Sequence, residues 1–410
     1  MKSIVIKGGL PLSGKISVSG SKNASLPILF STILTEGVSR IEGLPRIGDV
    51  EVALDILTDL GATVSRRGEV TLIDTANLKY RAPKKENVSR IRASTYLIGS
   101  CLSRFGVCEL ADFGGCNFSA RPIDMHIYAA EAMGAVLENR VMRARKLFGC
   151  EINFAKPSVG ATVNAILLAV SAEGKTVIRG YAREPHIDSL IDFLISAGAV
   201  IERSASEIVI FGRRLCGGCC KIPGDMIEAG TYLSLGVISG GEIAVENCPE
   251  GEMYALKNTL KAFGAEVDQD SSTIVARRGE KMHFAELSAE PYPGFPTDLQ
   301  PIAAVVAASF RGGIITDNVW CSRFGYLTEL EKFGVRFWLK ENSAFIGGTD
   351  FVPARAAAPD LRGGMACILS ALMARGESVI ESVDKVERGY ESLAEKLKGV
   401  GADVEIVWNR

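Results

Sequence analysis

Charged residues recur in this sequence at one register. Lys22, Arg92, Asp298 and Arg362, together with Gly160, each lie 14 or 15 residues before a glycine that opens a β-rich run: Gly37, Gly106, Gly313, Gly376 and Gly174 respectively. The stretch between is apolar and of helical length, so each of these residues stands at the start of a helix. A helix start has free backbone N–H groups and a partial positive charge, which suits a phosphate or a carboxylate. Ser or Asp at such a position reads first as an N-cap, whereas Lys22, Arg92 and Arg362 are not capping residue types and read as functional. Several such starts converging would form one cleft for a multiply anionic ligand. A second chemistry is available in Phe113-Gly114-Gly115-Cys116-Asn117, where a thiol lies in a glycine-rich segment able to move as a lid. Taken alone, that thiol could equally be idle.

The elements that must position these residues repeat. Gly37, Gly106, Gly174, Gly241, Gly313 and Gly376 are 63 to 72 residues apart. A second marker, an apolar helix end running through glycine into a strand, keeps step with them at Gly61, Gly134, Gly198, Gly264, Gly334 and Gly401. Each unit reads as an apolar helix, a glycine stop, a strand, an amphipathic helix and one or two further strands. The helices before the opening glycines, such as Ala165 to Ala172 and Ile302 to Ser309, are apolar on all faces and therefore buried. This predicts an α/β protein with helices inside and sheets outside, its six units grouped three plus three.

Composition agrees with that organisation. A chain of 410 residues exceeds one ordinary core, so two domains are expected. It is 47% hydrophobic and 23% charged with a formal net charge of −2, so no global field draws it to nucleic acid or membrane, and any anion site is local. No h-region of signal-peptide length opens the sequence, and apolar runs such as Ile302 to Phe310 fall far short of the ~20 residues that cross a bilayer. A soluble, unexported, cytoplasmic protein is expected. The ten cysteines read as free thiols; Cys216, Cys219 and Cys220 form half of a zinc pattern without a second half, and His126, His186 and His283 are scattered, so no metal is expected.

Seven segments carry a family resemblance in chain order: Ser19-Gly20-Ser21-Lys22-Asn23-Ala24, Ile91-Arg92-Ala93-Ser94, Gly114-Gly115-Cys116 with Ala120-Arg121-Pro122-Ile123-Asp124, Pro157-Ser158-Val159-Gly160-Ala161-Thr162, Pro293-Gly294-Phe295-Pro296-Thr297-Asp298, Pro359-Asp360-Leu361-Arg362, and Glu387-Arg388-Gly389-Tyr390. Nearly end to end, the sequence resembles the UDP-N-acetylglucosamine 1-carboxyvinyltransferases, enolpyruvyl transferases related to EPSP synthase. The resemblance implies an inside-out α/β barrel pair with three β-α-β-α-β-β units per domain. Domain 1 would be residues 1–21 with 226–410, carrying Asp298, Asp360, Arg362 and Arg388; domain 2 would be residues 22–225, carrying Lys22, Arg92 and the Cys116 loop. The implied reaction moves enolpyruvate from phosphoenolpyruvate to the 3′-hydroxyl of UDP-N-acetylglucosamine, the step that opens peptidoglycan synthesis. A monomer without cofactor, inactivated by fosfomycin at the loop thiol, is implied as well.

The same resemblance distributes the roles. Lys22, Asn23, Arg121 and Arg388 would hold phosphoenolpyruvate, and guanidinium forks suit its phosphate and carboxylate. Cys116 would be the general acid toward C3, its thiol tuned by Arg121. Asp298 would accept the 3′-hydroxyl proton, with Asp360, Arg362 and Arg323 in support. Lys156, Ser158, Val159 and Gly160 would meet the diphosphate at a helix start. Arg92 would bind the sugar nucleotide and help close over it; Arg121, Pro122, Ile123, Asp124 and Met125 would line uridine and sugar, and Val319 would touch the N-acetylglucosamine. The sequence departs from the family at Met226, where an arginine is usual, at Gly363-Gly364-Met365, at Trp320-Cys321-Ser322 and at Ser119. These departures leave the bond-making residues in place and bear on closure and on the acceptor. A diverged paralogue with another acceptor, or with a non-catalytic sugar-nucleotide binding role, is the alternative.

Overall fold

A computed structural model describes residues 2–110, 112–114, 122–249 and 251–408. Cys116, Ser119 and Arg121 lie outside the described residues. The described chain forms two compact units, one of residues 2–19 and 224–408, the other of residues within 20–223. The units change at 19/20 and 223/224, two residues before the boundaries drawn from the sequence, and the capping residues explain the difference. Ser21 accepts a hydrogen bond from the Ala24 N–H at 3.3 Å and so belongs with the helix Lys22–Ser31. The Asp225 Oδ1 accepts from the N–H groups of Ile227 and Glu228 at 2.8 and 3.0 Å and belongs with the helix Met226–Ser239.

Each unit is built on three buried helices. In the unit of residues 20–223 these are Lys22–Ser31, Leu97–Phe105 and Val159–Ala169. In the other they are Met226–Ser239, Gln300–Ala308 and Leu361–Met373. Val159–Ala169 and Gln300–Ala308 leave no polar face. From Ala161 to Ala169 and from Gln300 to Ala308 every residue is buried, so neighbours must cover the helices all round. Each fully buried Val, Leu or Ile in these helices contributes roughly 1.5–3 kcal/mol, and the helices share each unit's separate core with the strands and helices packed around them.

Five four-stranded mixed sheets cover the helices, and all share one pairing pattern. In the example Glu151–Asn153, Lys175–Arg179, Glu207–Phe211, Val200–Arg203, the first pair is parallel and the next two pairs antiparallel. A sheet of Val107–Glu109, Val141–Arg143 and Val136–Glu138 has three antiparallel strands among the described residues. The first strand, Lys2–Gly8, pairs antiparallel with Gly376–Glu381 and with Asp403–Trp408, which ties the N-terminus into the C-terminal unit. Period-two alternation sets its register: Ile4 and Ile6 point into the core, and Ile4 stands opposite Ile380 on one side and Ile406 on the other.

The glycine markers resolve into two kinds. Gly61, Gly134, Gly198, Gly264, Gly334 and Gly401 all hold left-handed backbone, with φ from 90° to 103°, as residues just past a helix end must. Of the opening glycines, those of the fourth and fifth units are displaced by one. Gly240 and Gly312 take the left-handed conformation there, with φ of 72° and 84°. Gly241 and Gly313 are glycine because a Cβ would come within 2.0 Å of the Leu12 carbonyl and 2.7 Å of the Ala285 carbonyl respectively.

Candidate functional site

In the unit of residues 224–408 the three buried helices pack against one another, and their N-terminal ends gather polar side chains in an apolar interior. Asp298 lies in the 3-10 turn Thr297–Leu299 that leads into the second helix. Its carboxylate is held by two arginines: Arg323 Nη1 donates to Oδ1 at 2.7 Å, and Arg362 donates from Nε to Oδ2 at 3.2 Å, with Nη2 at 3.1 Å. Both arginines are buried, 4% and 1% exposed, while the Asp298 side chain is 28% exposed. The carboxylate is therefore the exposed end of a charge cluster whose cations lie inside.

Arg362 is the second residue of the third helix, whose N-cap is Asp360; the Asp360 Oδ1 accepts from the N–H groups of Arg362 and Gly363 at 2.9 and 3.0 Å. The Arg362 guanidinium lies 5.3 Å from the centre of the Tyr390 ring. Burial works against its charge, but Tyr390, Asp298 and Asp225 outweigh burial and hold it above its ordinary value. The Tyr390 hydroxyl meets the Thr231 hydroxyl at 2.8 Å, fixing the ring beside the first helix. Arg388, two residues before Tyr390, is half-buried. Val319 follows the strand Gly313–Asp317, and the Asp317 Oδ1 accepts from its N–H at 2.9 Å.

Two buried carboxylates here escaped the sequence reading. Asp317 is fully buried and also accepts the Thr297 hydroxyl at 2.6 Å. An aspartate ending a strand, with N–H groups two and three residues on, is a recognisable turn signal that could have revealed it. Glu228, in the first turn of the Met226–Ser239 helix, takes Lys396 Nζ at 2.6 Å and the Ser19 N–H at 2.8 Å. Burial pushes its carboxyl up to about 7, against the opposing pull of Lys396 and of the Ser19 N–H. Met226 packs against the hydrophobic core, so the side chain that stands where the family has a cation is used here for packing.

The unit of residues 20–223 has its own polar cluster. Lys22, first in its helix, has its ammonium 3.6 Å from the buried Asp49 carboxylate, and Asn23 beside it is half-buried. Arg92 opens the 3-10 turn Arg92–Tyr96 that leads into the Leu97–Phe105 helix. Ser158 caps the Val159–Ala169 helix, accepting from the Ala161 N–H at 3.4 Å; Val159 and Gly160 form its first turn, and Lys156 is exposed before it. Pro122 and Ile123 lead into the helix Asp124–Ala132, where Asp124 is exposed and Met125 half-buried.

His126, on that same helix, joins these segments, and nothing in its sequence context marks it. A Cβ added at Gly160 would lie 2.8 Å from the His126 Cε1, so the imidazole packs directly on the helix start. The Gly99 N–H donates to the Asn164 Oδ1 at 2.6 Å, which fixes that amide with its nitrogen toward the His126 Nδ1 at 2.7 Å. Nδ1 is then the acceptor, and the network assigns the ring proton to Nε2. Burial and the neighbouring Arg92 charge push the imidazole down to about 4, so it is neutral near pH 7. Among the described residues no cluster of His, Cys, Asp or Glu is placed to hold a metal ion, and no helix is long and apolar enough to cross a membrane.

The chain belongs to the EPSP synthase (3-phosphoshikimate 1-carboxyvinyltransferase) family, whose model matches residues 6–397. Within that family it is similar to the UDP-N-acetylglucosamine 1-carboxyvinyltransferase of Halothermothrix orenii, 38% identical over 99% of this chain and 100% of that protein. It is 39% identical to the protein of the same name from the Wolbachia of Culex pipiens, over 98% and 99%. Among solved structures, the enolpyruvyl transferase NikO from Streptomyces tendae has the same fold, with a TM-score of 0.90 at 24% identity covering 100% of this chain and 99% of that one. EPSP synthase from Acinetobacter baumannii matches with a TM-score of 0.75 at 18% identity, covering all of both chains.

Proposed function

We propose that this protein transfers the enolpyruvyl group of phosphoenolpyruvate to the 3′-hydroxyl of UDP-N-acetylglucosamine with release of phosphate. The observation that carries the reading is full-length identity of 36–39% to many proteins of that name. The residues are suited to the chemistry. Asp298, fixed by two guanidinium groups, accepts the 3′-hydroxyl proton as that oxygen adds to C2 of phosphoenolpyruvate. Cys116 delivers a proton to C3; phosphate then leaves C2 as a C3 proton is removed, which restores the double bond. Lys22, Asn23, Arg121 and Arg388 hold the phosphate and carboxylate, and the Val159–Ala169 helix start with Ser158 and Lys156 takes the diphosphate. Arg92, Pro122, Ile123, Asp124, Met125 and Val319 complete the sugar-nucleotide contacts, and Asp360, Arg362 and Arg323 support Asp298.

The repeated sheet order over buried helices supports a finer description of the fold: six units, three in each of two inside-out α/β barrels. A nucleotide-sugar acceptor also makes the cytoplasm the place of action, with the protein working as a monomer. Phosphate release on mixing phosphoenolpyruvate with UDP-N-acetylglucosamine tests the reading. The wild type is expected to turn over, Cys116→Ser and Asp298→Ala to lose about a hundredfold or more in kcat, and fosfomycin to add its mass at the Cys116 peptide. Sugar-nucleotide binding without phosphate release would instead favour the non-catalytic paralogue.

A further inference from the structure

Asp317 has no part in the roles assigned above, yet it is wholly buried and holds three donors. One oxygen, Oδ1, accepts from the backbone N–H groups of Val319 at 2.9 Å and Trp320 at 2.7 Å, which closes the turn that follows its strand. The other, Oδ2, accepts the Thr297 hydroxyl at 2.6 Å. That hydroxyl has one proton, and once it is given to Asp317 its lone pairs are left to accept. They receive Arg323 Nη1 at 3.2 Å, and the same nitrogen donates to Asp298 Oδ1 at 2.7 Å. Thr297 and Asp298 are also neighbours in one 3-10 turn, so fixing the first restrains the backbone of the second.

We propose that Asp317 is a positioning residue for enolpyruvyl transfer, setting the proton-accepting Asp298 and the acceptor-contacting Val319 in register with each other. The proposal rests on the reading of Asp298 and Val319 given above. Burying a carboxylate is costly unless donors surround it, and at this position they are drawn from both segments the reaction needs aligned. A hydrophobic residue of similar size would fill the space but could orient neither the Val319 turn nor, through Thr297, the Arg323 guanidinium. Because an error of about 1 Å in the placement of a reacting group costs about a hundredfold, the effect of losing this alignment falls on turnover.

The test is steady-state phosphate release by Thr297→Val, Thr297→Ser, Asp317→Asn and the Thr297→Val/Asp317→Asn double variant. Thr297→Val leaves the Val319 turn untouched, so kcat is expected to fall about tenfold to a hundredfold with KM for the sugar nucleotide unchanged. Thr297→Ser keeps the hydroxyl and is expected to restore turnover. Asp317→Asn keeps an acceptor for the turn but presents an amide to Thr297, and its kcat is expected to fall similarly. In the double variant the losses are expected not to multiply, because both act through one path. Equal kcat for Thr297→Val and Thr297→Ser overturns the proposal even if Asp317→Asn fails to fold, as do single-variant losses that multiply. An inactive wild type overturns the functional reading and the proposal with it; an active wild type whose variants keep kcat overturns the proposal alone.

Discussion

At the scale of single residues, the most consequential arrangement is one half-buried carboxylate between two buried guanidinium groups. Asp298 has a structural duty as well as a chemical one. Asp298→Ala removes the common anion of Arg323 and Arg362, and breaking a buried ion pair by removing one partner costs about 3–5 kcal/mol. The expected outcome is a fall of that size in the urea-unfolding free energy of the unit of residues 224–408, alongside the loss of turnover. Asp298→Asn, which keeps an oxygen for one arginine, should lose turnover with a smaller stability change. Unchanged stability in Asp298→Ala would show that solvent already neutralises these cations. The positions of Lys22, Arg92, Asp298 and Arg362 at helix starts were legible in the sequence because they share a register with the opening glycines. Their partners were not. Asp317, Tyr390 and Glu228 are brought to Thr297, Arg362 and Lys396 by packing between segments 20 to 168 residues apart, and no local pattern encodes that.

At the scale of elements, the buried helices explain a departure from the family that the sequence alone left without a reason. Gly363 and Gly364 stand where small Ala or Ser residues are usual, in the first turn of the Leu361–Met373 helix. A Cβ on Gly364 would lie 2.6 Å from both the Ala358 Cβ and the Val386 Cγ2, and one on Gly363 would lie 2.7 Å from the Tyr326 Cβ. The helix start is drawn tightly against its neighbours, which seats the Arg362 guanidinium beside Asp298 and Tyr390. Helix propensity by itself predicts that Gly364→Ala stabilises by about 1 kcal/mol. The contacts reverse the sign: overpacking costs about 1–3 kcal/mol. Urea unfolding of Gly364→Ala distinguishes the two, with a lowered midpoint expected and a raised one showing that the neighbouring segment yields. Gly160→Ala belongs to the same class, since its methyl would meet the His126 ring at 2.8 Å; weakened sugar-nucleotide binding is expected in equilibrium titration, because the helix start is displaced.

At the scale of the whole molecule, the two units respond to pH in opposite senses, through His126 in one and through Glu228 and the half-buried Glu252 in the other. In the unit of residues 20–223, folded His126 stays neutral down to about 4, whereas an unfolded histidine takes up its proton near 6.5. Its contribution is complete above pH 6.5 and is lost as pH falls toward 4. In the unit of residues 224–408, the folded Glu228 carboxyl stays protonated up to about 7, whereas an unfolded glutamate ionises near 4.5. That unit is favoured below pH 4.5 and loses stability as pH rises toward 7. For His126 and Glu228 each difference corresponds to roughly 3 kcal/mol, so between pH 4.5 and 6.5 these two offset each other in any measurement that averages over the chain. Burial also pushes the half-buried Glu252 carboxyl up to about 7, and solvent screening makes its share of the fall smaller. All three tryptophans, Trp320, Trp338 and Trp408, lie in the second unit, so their fluorescence reports it selectively. Hydrogen exchange of the Val159–Ala169 helix, corrected for intrinsic rate, reports the first. Glu228→Gln keeps an acceptor for the Ser19 N–H without the titration, and His126→Asn removes the imidazole. Relative to wild type, Glu228→Gln should reduce the fall in tryptophan-monitored stability between pH 5 and 7 to the part that Glu252 carries, and His126→Asn should abolish the rise in helix protection over pH 4 to 6.5. Should the units unfold as one, Glu228→Gln tilts the profile upward with pH relative to wild type over the shared window, and His126→Asn tilts it downward. Profiles that neither substitution alters would show that both groups keep ordinary protonation in the folded chain.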